Sequence, residues 1–479
     1  MRTLASTTLT LVLALTLVAC GKVESDLPDA DEPPPTDAQV DSPDAPDVTT
    51  CTPDEFVDCD GGNARFCNAN GNGVIIMSCG TAGCNADARR CNQCVPSSVV
   101  CDGNVVESCD ADGLELPDEP CLRSCIATPS AHCEYIAPVY LPDVCDARAT
   151  MPSLAISTSV TIDTGLDTNC TGGIVTQTGG PPICVIRYGT IGVQSGRTLT
   201  LTGGRAAAFV ADGDLTVAGT IDAAASGLTH GPGGGTLTSG GLANASAGGG
   251  GAGYLTAGAA GANLTTNGGA NNGGAAFDPL SGSVLVGGAR GARPSIALGV
   301  SGGGGGGALM LVSCRGNVIV SGLLDLGGGG GNGGIDLSAG PQLMLIGGGG
   351  GGTGGYGVLQ GLGVQVTGQV FANGGGGGGG GANDAAGSAG GDGTRSTTTA
   401  ATGGAGATAG TSVGGRGGTG GRVGANPGVG LIPTSQGSPG GGGGSVGRFQ
   451  AYTPTGVTPT LTPSAASPPF QSNRTVPTR

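Results

Sequence analysis

From about residue 155 onward, apolar and polar positions alternate in short bursts that close on glycine. Leu199-Thr200-Leu201-Thr202-Gly203, Leu215-Thr216-Val217-Ala218-Gly219, Val318-Ile319-Val320-Ser321-Gly322 and Val364-Gln365-Val366-Thr367-Gly368 share one pattern. Looser copies are Val160-Thr161-Ile162 before Gly165 and Ile191-Gly192-Val193 before Gly196. Alternation at period two, rich in Val, Ile and Thr, predicts short strands. Three copies run on into a second apolar triplet, GTIDA (219–223), GLLDL (322–326) and GQVFA (368–372), and residues 445–451 read as a further strand. Strands that recur with glycine at their ends predict a coil of stacked rungs. In a parallel β-helix each rung pairs with those above and below, so one apolar row per strand is enough core. The Gly positions 203, 219, 322 and 368 are 16, 103 and 46 residues apart, so the coil is irregular and carries long insertions.

Those insertions are glycine runs, such as 327–331 and 374–381. Glycine loses the most backbone entropy on ordering, so flexible surface loops are the default reading. Packed extended polyglycine helices are the alternative, because only glycine lets backbones approach closely. The pattern does not choose between them. Composition removes other folds: of 479 residues 105 are Gly, none is Trp and 3 per cent are aromatic. Helical bundles, doubly wound sheets and (β/α)₈ barrels need bulky cores and long amphipathic helices that this chain lacks. Collagen needs glycine at every third position, not in runs. Residues 453–479, rich in Pro, Thr and Ser, read as a disordered tail.

Charge divides the chain. Residues 1–150 hold 24 of the 34 acids, and residues 151–479 are close to neutral. No basic stripe offers itself to a phosphate backbone, so nucleic acid is excluded as a partner. The N-terminus has a basic Arg2, an apolar Leu9–Val18 and then Leu17-Val18-Ala19-Cys20. That reads as an export signal, too short for a membrane span. Its last four residues resemble the lipobox of bacterial lipoprotein signal peptides. The resemblance implies cleavage before Cys20, acylation of that cysteine and, with Gly21 following, an outer-membrane lipoprotein exposed at the cell surface. Several acyl chains make a stable anchor where one binds only marginally. Residues 20–50, rich in Asp and Pro, cannot bury enough surface to order. They form a tether whose reach is on the order of 90 Å.

Sixteen cysteines follow Cys20, and twelve fall into two copies of one spacing. Cys51, Cys59, Cys67, Cys79, Cys84 and Cys91 make the first module (51–93). Cys94, Cys101, Cys109, Cys121, Cys125 and Cys133 make the second (94–133). Cys59-Asp60-Gly61 repeats as Cys101-Asp102-Gly103. Modules this small need staples, and in an exported chain six cysteines read as three disulfides. Fifteen pairings per module stay open. A zinc or redox site at Cys91-Asn92-Gln93-Cys94 is disfavoured, because the pair straddles the module boundary and only His132 is nearby. Cys170 and Cys184 bracket the turn at 179–182 and could close a local loop, leaving Cys145 and Cys314 to pair or stay free.

Catalytic motifs fail their context checks. Ser301 and Ser412 sit in G-x-S-x-G, but both histidines, His132 and His230, precede them, against the order a hydrolase elbow requires. G-x-G-x-x-G occurs without a following acid or βαβ unit, and no cofactor motif remains. Asp336 falls one place late for a calcium nonapeptide, and Asp212-Gly213-Asp214 reads equally as a turn.

The stretches GGGGGGALMLVSCRGNVIVSGLLDLGGGGG (302–331) and GGGGSVGRFQA (441–451), with the lipobox and the cysteine modules, resemble surface lipoproteins of myxobacteria and relatives. That resemblance implies architecture and location, and no catalytic residue. The expectation is an all-β chain: signal peptide 1–19, tether 20–50, two disulfide modules, connector 134–154, β-helix 155–452 and tail 453–479. Its role is structural or adhesive and non-catalytic, with the membrane as one partner through the anchor and surface polysaccharide or matrix as the other. A β-helical polysaccharide lyase or hydrolase is the alternative, and it requires Asp212, Asp214, Asp222, Asp325 and Asp336 to converge with arginines in one groove.

Overall fold

The computed structural model describes residues 50–237, 247–264, 272–277, 284–294, 299–337 and 344–479. Cys20, the signal segment and the tether up to residue 49 lie outside the described residues. The rest is almost entirely strand and extended chain, with two single-turn 3₁₀ helices, Gly80–Ala82 and Asp167–Asn169.

Three sheets, parallel except where the edge strand Ile174–Val175 runs antiparallel to Ile183–Tyr188, stand side by side from residue 153 to the C-terminus, and successive strands visit them in rotation. The first contains Ser153–Ile156, Thr190–Val193, Leu215–Val217, Asn317–Val320, Gly363–Val366 and Thr460–Leu461. The second contains Val160–Asp163, Thr198–Thr202, Thr220–Asp222, Leu323–Asp325, Gln369–Phe371 and Ala465–Ser467. Register keeps like with like: Leu154, Ile191, Leu215, Val318 and Val364 stack in one row. Val160, Leu199, Ile221, Leu324 and Val370 form another. Apart from Val160, which is exposed, both rows face a shared core with Phe209, Leu311 and Phe449, and each buried aliphatic there contributes about 1.5–3 kcal/mol.

The third sheet is built from Ile183–Tyr188, Ala206–Ala211, Ala308–Ser313, Tyr356–Gln360 and Arg448–Thr453, with short strands at either edge. Both its faces are covered. Its outer face packs Val185, Ala208, Met310 and Val358 against Ile136, Leu141 and Cys145 of the connector. Residues 134–152 are therefore a strap running along the stack rather than a loose link. Tyr135 exchanges backbone hydrogen bonds with Arg479, and Val139 N–H donates to Gln360 Oε1 at 2.8 Å.

The tail corrects the expectation of disorder at 453–479. Its strands Thr460–Leu461, Ala465–Ser467 and Arg474–Thr475 each add to one of the three sheets. A preformed edge supplies hydrogen bonds and apolar contact that the tail's own composition does not, so pairing overrides it.

The glycine insertions leave the stack at one corner, between the second and third sheets, at 223–307, 326–355 and 372–447. Among the described residues, including both runs 327–331 and 374–381, they correct the default reading too, for they are hydrogen-bonded and packed. Along 374–381, Gly374, Gly377 and Gly380 donate to Gly421, Gly418 and Gly415. Gly375 and Gly378 donate to Gly352 and Gly349, while Gly376 and Gly379 donate to Gly391 and Ser388. Three neighbours taken in turn at period three are the signature of a threefold extended helix, which has three residues per turn and no internal hydrogen bonds. A bundle of such helices satisfies its backbone through its neighbours, and it leaves no room for side chains: a Cβ on Gly377 would lie 2.2 Å from the Gly441 carbonyl oxygen.

In the cysteine modules the structure pairs first with third, second with fifth and fourth with sixth. These are Cys51–Cys67, Cys59–Cys84 and Cys79–Cys91, then Cys94–Cys109, Cys101–Cys125 and Cys121–Cys133. Each module has a hairpin turning on a glycine in the left-handed region, Gly61 and Gly103, both at φ 58°. Cys170 bonds Cys184, and Cys145 bonds Cys314.

Candidate functional site

The five aspartates that a catalytic groove would need fall in separate places. Asp212 is buried in the turn after Ala206–Ala211, where it ties strap to stack. Its Oδ1 lies 2.9 Å from Arg187 Nη2 and 3.9 Å from Arg315 Nη1, and its Oδ2 accepts the Ala149 N–H. Arg315 also lies over the Tyr135 ring, 4.7 Å from its centroid, and donates to the Cys145 carbonyl. Asp214 faces the next rung, accepting the Asn317 N–H at 2.8 Å.

At the opposite corner Asp222 and Asp325 are stacked in register. Arg395, from the glycine bundle, bridges them, with Nη2 2.8 Å from Asp222 and Nε 2.5 Å from Asp325. Asp392 adds two hydrogen bonds from the Gly227 and Gly330 N–H groups. This corner clamps bundle to coil. Burial raises the Asp325 carboxyl above its usual range, more than Arg395 lowers it. The native state therefore holds that proton more tightly than the unfolded chain. Stability from this group is present below the ordinary carboxylate pKa and is lost as pH rises through the raised one. Asp325→Asn is expected to flatten that part of the pH–stability curve between acid and neutral pH, as read from thermal midpoints across pH. An unchanged curve would count against it.

Asp336 lies in a third place, on the strand Ile335–Leu337 that hairpins with Met344–Ile346 inside the bundle. Among the described residues it joins no ion pair. Carboxylate oxygens of Glu107, Glu115 and Asp118 in the second module lie within 4.8 Å of one another. Desolvation first, and then Asp102, Asp118 and Glu115, hold Glu107 above its ordinary range. These acids lie on a partly exposed face, where such groups are common without a metal.

The outer face of the first sheet is open. Gly192, Thr216, Ile319, Gln365 and Thr460 stand in register along it, with Thr216, Gln365 and Thr460 exposed. At its C-terminal end a shallow groove of about 270 Å³ is lined by Asn317, Ile319, Gln365, Thr458 and Thr460. The strap covers the third sheet, and Arg395 of the bundle closes over Asp222 and Asp325 of the second. Sequence reasoning found Thr216 and Gln365 as strand residues but missed Arg187, Arg315 and Arg395. Single arginines carry no local signal, since their partners are up to 173 residues away.

Fold and site together define an all-β, disulfide-rich protein with stacked parallel sheets. No family model matches the chain, and no curated protein or solved structure matches it either.

Proposed function

We propose that this chain is a lipid-anchored protein of the outer cell surface, exported and acylated at Cys20, with a non-catalytic structural or adhesive role. In this reading the three sheets are the faces of a parallel β-helix held off the membrane by the tether. The carrying observation is the free face of the first sheet. It presents Thr216, Gln365 and Thr460 in register, suited to many weak hydrogen bonds with polysaccharide or matrix, while the third sheet is covered by the strap and the second is clamped at Asp222 and Asp325. The dispersal of Asp212, Asp222 and Asp336 into separate clusters favours this role over a lyase or hydrolase, which needs its acids in one groove. Eight disulfides among the described residues fit an oxidising compartment.

Two measurements test it. Radioactive palmitate should label the wild type and not Cys20→Ala, and equal incorporation would refute the anchor. On a glycan array the full chain should bind polysaccharide, and the double variant Thr216→Ala, Gln365→Ala should weaken that binding several-fold, about what two neutral hydrogen bonds supply. Undiminished binding would remove the first sheet from the account.

A further inference from the structure

The first cysteine module ends its sheet on a strand that no neighbour covers. Strands Phe56–Asp60, Asn63–Cys67 and Val74–Ser78 lie in that order, and among the described residues nothing pairs with the outer edge of the third. Its Ile75, Ile76 and Met77 are 55, 61 and 53 per cent exposed, so side chains on both faces stand in solvent. From Phe66 to Ala86 the sequence has no charged residue. A bare, uncharged, apolar edge is a template for another strand, and exposed edges are ordinarily blunted by charge or proline.

The second module shows that the fold does not require such a strand. Eleven residues separate the third and fourth cysteines in both modules, Cys67 from Cys79 and Cys109 from Cys121. The last five of them read Val-Ile-Ile-Met-Ser (74–78) in the first and Leu-Pro-Asp-Glu-Pro (116–120) in the second. There the strand contracts to Glu119–Pro120, and prolines and acids blunt the edge. Both modules nevertheless close with the same order of disulfides, so the apolar side chains of 74–78 are not needed to build one.

Backbone directions decide which partner fits. The Cys67 N–H donates to the Glu55 carbonyl and the Cys67 carbonyl accepts the Asp54 N–H, so Cys67 faces the first strand. Directions alternate along a strand, so Phe66 and Ala64 face the third, where they meet Ile75 and Met77. Val74, Ile76 and Ser78 therefore aim their N–H and carbonyl groups outward. That set is symmetric about Ile76. A two-fold axis there places Ile76 opposite itself and Val74 opposite the second copy's Ser78, each pair exchanging both its hydrogen bonds. Ile75 then meets the second copy's Met77, and no charge in this strand meets a like charge. The tether at 20–50 fits worse, since its prolines donate nothing to a ladder and its acids would lie along an apolar edge. The edge is also preformed. Cys67, opposite Val74, is bridged to Cys51, and Cys79, next after Ser78, is bridged to Cys91, so pairing orders little new chain.

We infer that Val74–Ser78 is a self-association edge, through which two copies of this chain pair antiparallel and join their three-stranded sheets into one. The inference stands apart from the lipid anchor and from polysaccharide binding. A strand of 5 residues makes a small contact, so the dimer is a weak one.

The test follows the full chain by sedimentation velocity across a range of concentrations, in detergent with micelles in excess over protein. The wild type should pass from monomer to dimer as concentration rises. Ile76→Lys sets two like charges opposite each other and should move that midpoint up by at least about tenfold. The dilute variant should melt as the wild type does, because the side chain is exposed. Mild oxidation reads the register. Ile76→Cys should yield a covalent dimer, since hydrogen-bonded antiparallel pairs hold their Cα atoms about 5.5 Å apart, within disulfide reach. Ser78→Cys should not, because the second copy places Val74 opposite it. These two variants stand as the test if Ile76→Lys does not fold. The inference is overturned if the wild type stays monomeric up to its solubility limit, if Ile76→Lys associates as the wild type does, or if Ser78→Cys cross-links as readily as Ile76→Cys. A monomer whose Cys20→Ala form floats with phosphatidylcholine vesicles, and ceases to on Ile76→Lys, would also overturn it, since the edge then meets lipid.

Discussion

Gly377→Val is expected to disrupt the glycine bundle while leaving the stacked sheets folded. The position sits inside a threefold helix whose neighbours approach on all sides, and Cβ alone would lie 2.2 Å from the Gly441 carbonyl oxygen and 2.5 Å from its carbon. Those atoms are backbone, so no rotamer change relieves the overlap. Overpacking in ordinary cores costs about 1–3 kcal/mol. Here the obstacle is a helix hydrogen-bonded on three sides, so the loss should reach or exceed about 3 kcal/mol, the top of that range. Amide hydrogen exchange should show lost protection at Gly349, Gly378, Gly415 and Gly418, with Leu215–Val217 and Val318 still protected. Gly204→Ala is the control, because nothing lies within 4 Å of its Cβ and its φ is ordinary. That change should be neutral, or stabilising by up to about 1 kcal/mol through the unfolded chain. Equal effects at the two positions would mean that the bundle is not close-packed.

The contrast shows what local sequence carries. Alternation made the strands at Leu199, Leu215, Val318 and Val364 legible, because in the first two sheets one face is core and the other is not. It missed Ala206–Ala211 and Ala308–Ser313, which are buried on both faces and so show no alternation. Glycine runs were visible, but their order was not. A polyglycine stretch reads the same whether it floats or packs, and the difference lies in neighbours such as Gly441 and Gly352. The tail was misread for a related reason, since Thr460–Leu461 and Ala465–Ser467 are strands only because Gly363–Val366 and Gln369–Phe371 stand ready to pair with them. Of the sites, the acids were named but their grouping was not. Asp222 and Asp325 are 103 residues apart in sequence and become neighbours only through the register of the second sheet.

Replacing Cys145 and Cys314 together by serine is expected to release the strap from the outer face of the third sheet. The bridge spans 169 residues, against 24 for Cys101–Cys125 in the second module. Loop-closure entropy grows with the logarithm of that length, giving about 5 kcal/mol for the long bridge and about 3.5 for the short one. What each loss does depends on what else holds the chain. The second module has little core beyond Val106, Cys109 and Cys133, so Cys101→Ser with Cys125→Ser should unfold it locally and leave the sheets untouched. The strap keeps Ile136 and Leu141 in an apolar cluster, and Asp212 still holds the Ala149 N–H. Its variant should therefore stay folded at low temperature but melt well below the wild type, with Ile136 and Val139 exchanging early. Exposure of Val185 and Val358 should then raise the binding of an apolar dye before the main transition. If the strap variant melts with the wild-type midpoint, Ile136, Leu141 and Asp212 are enough to hold it, and the loop-closure contribution assigned to the bridge is refuted.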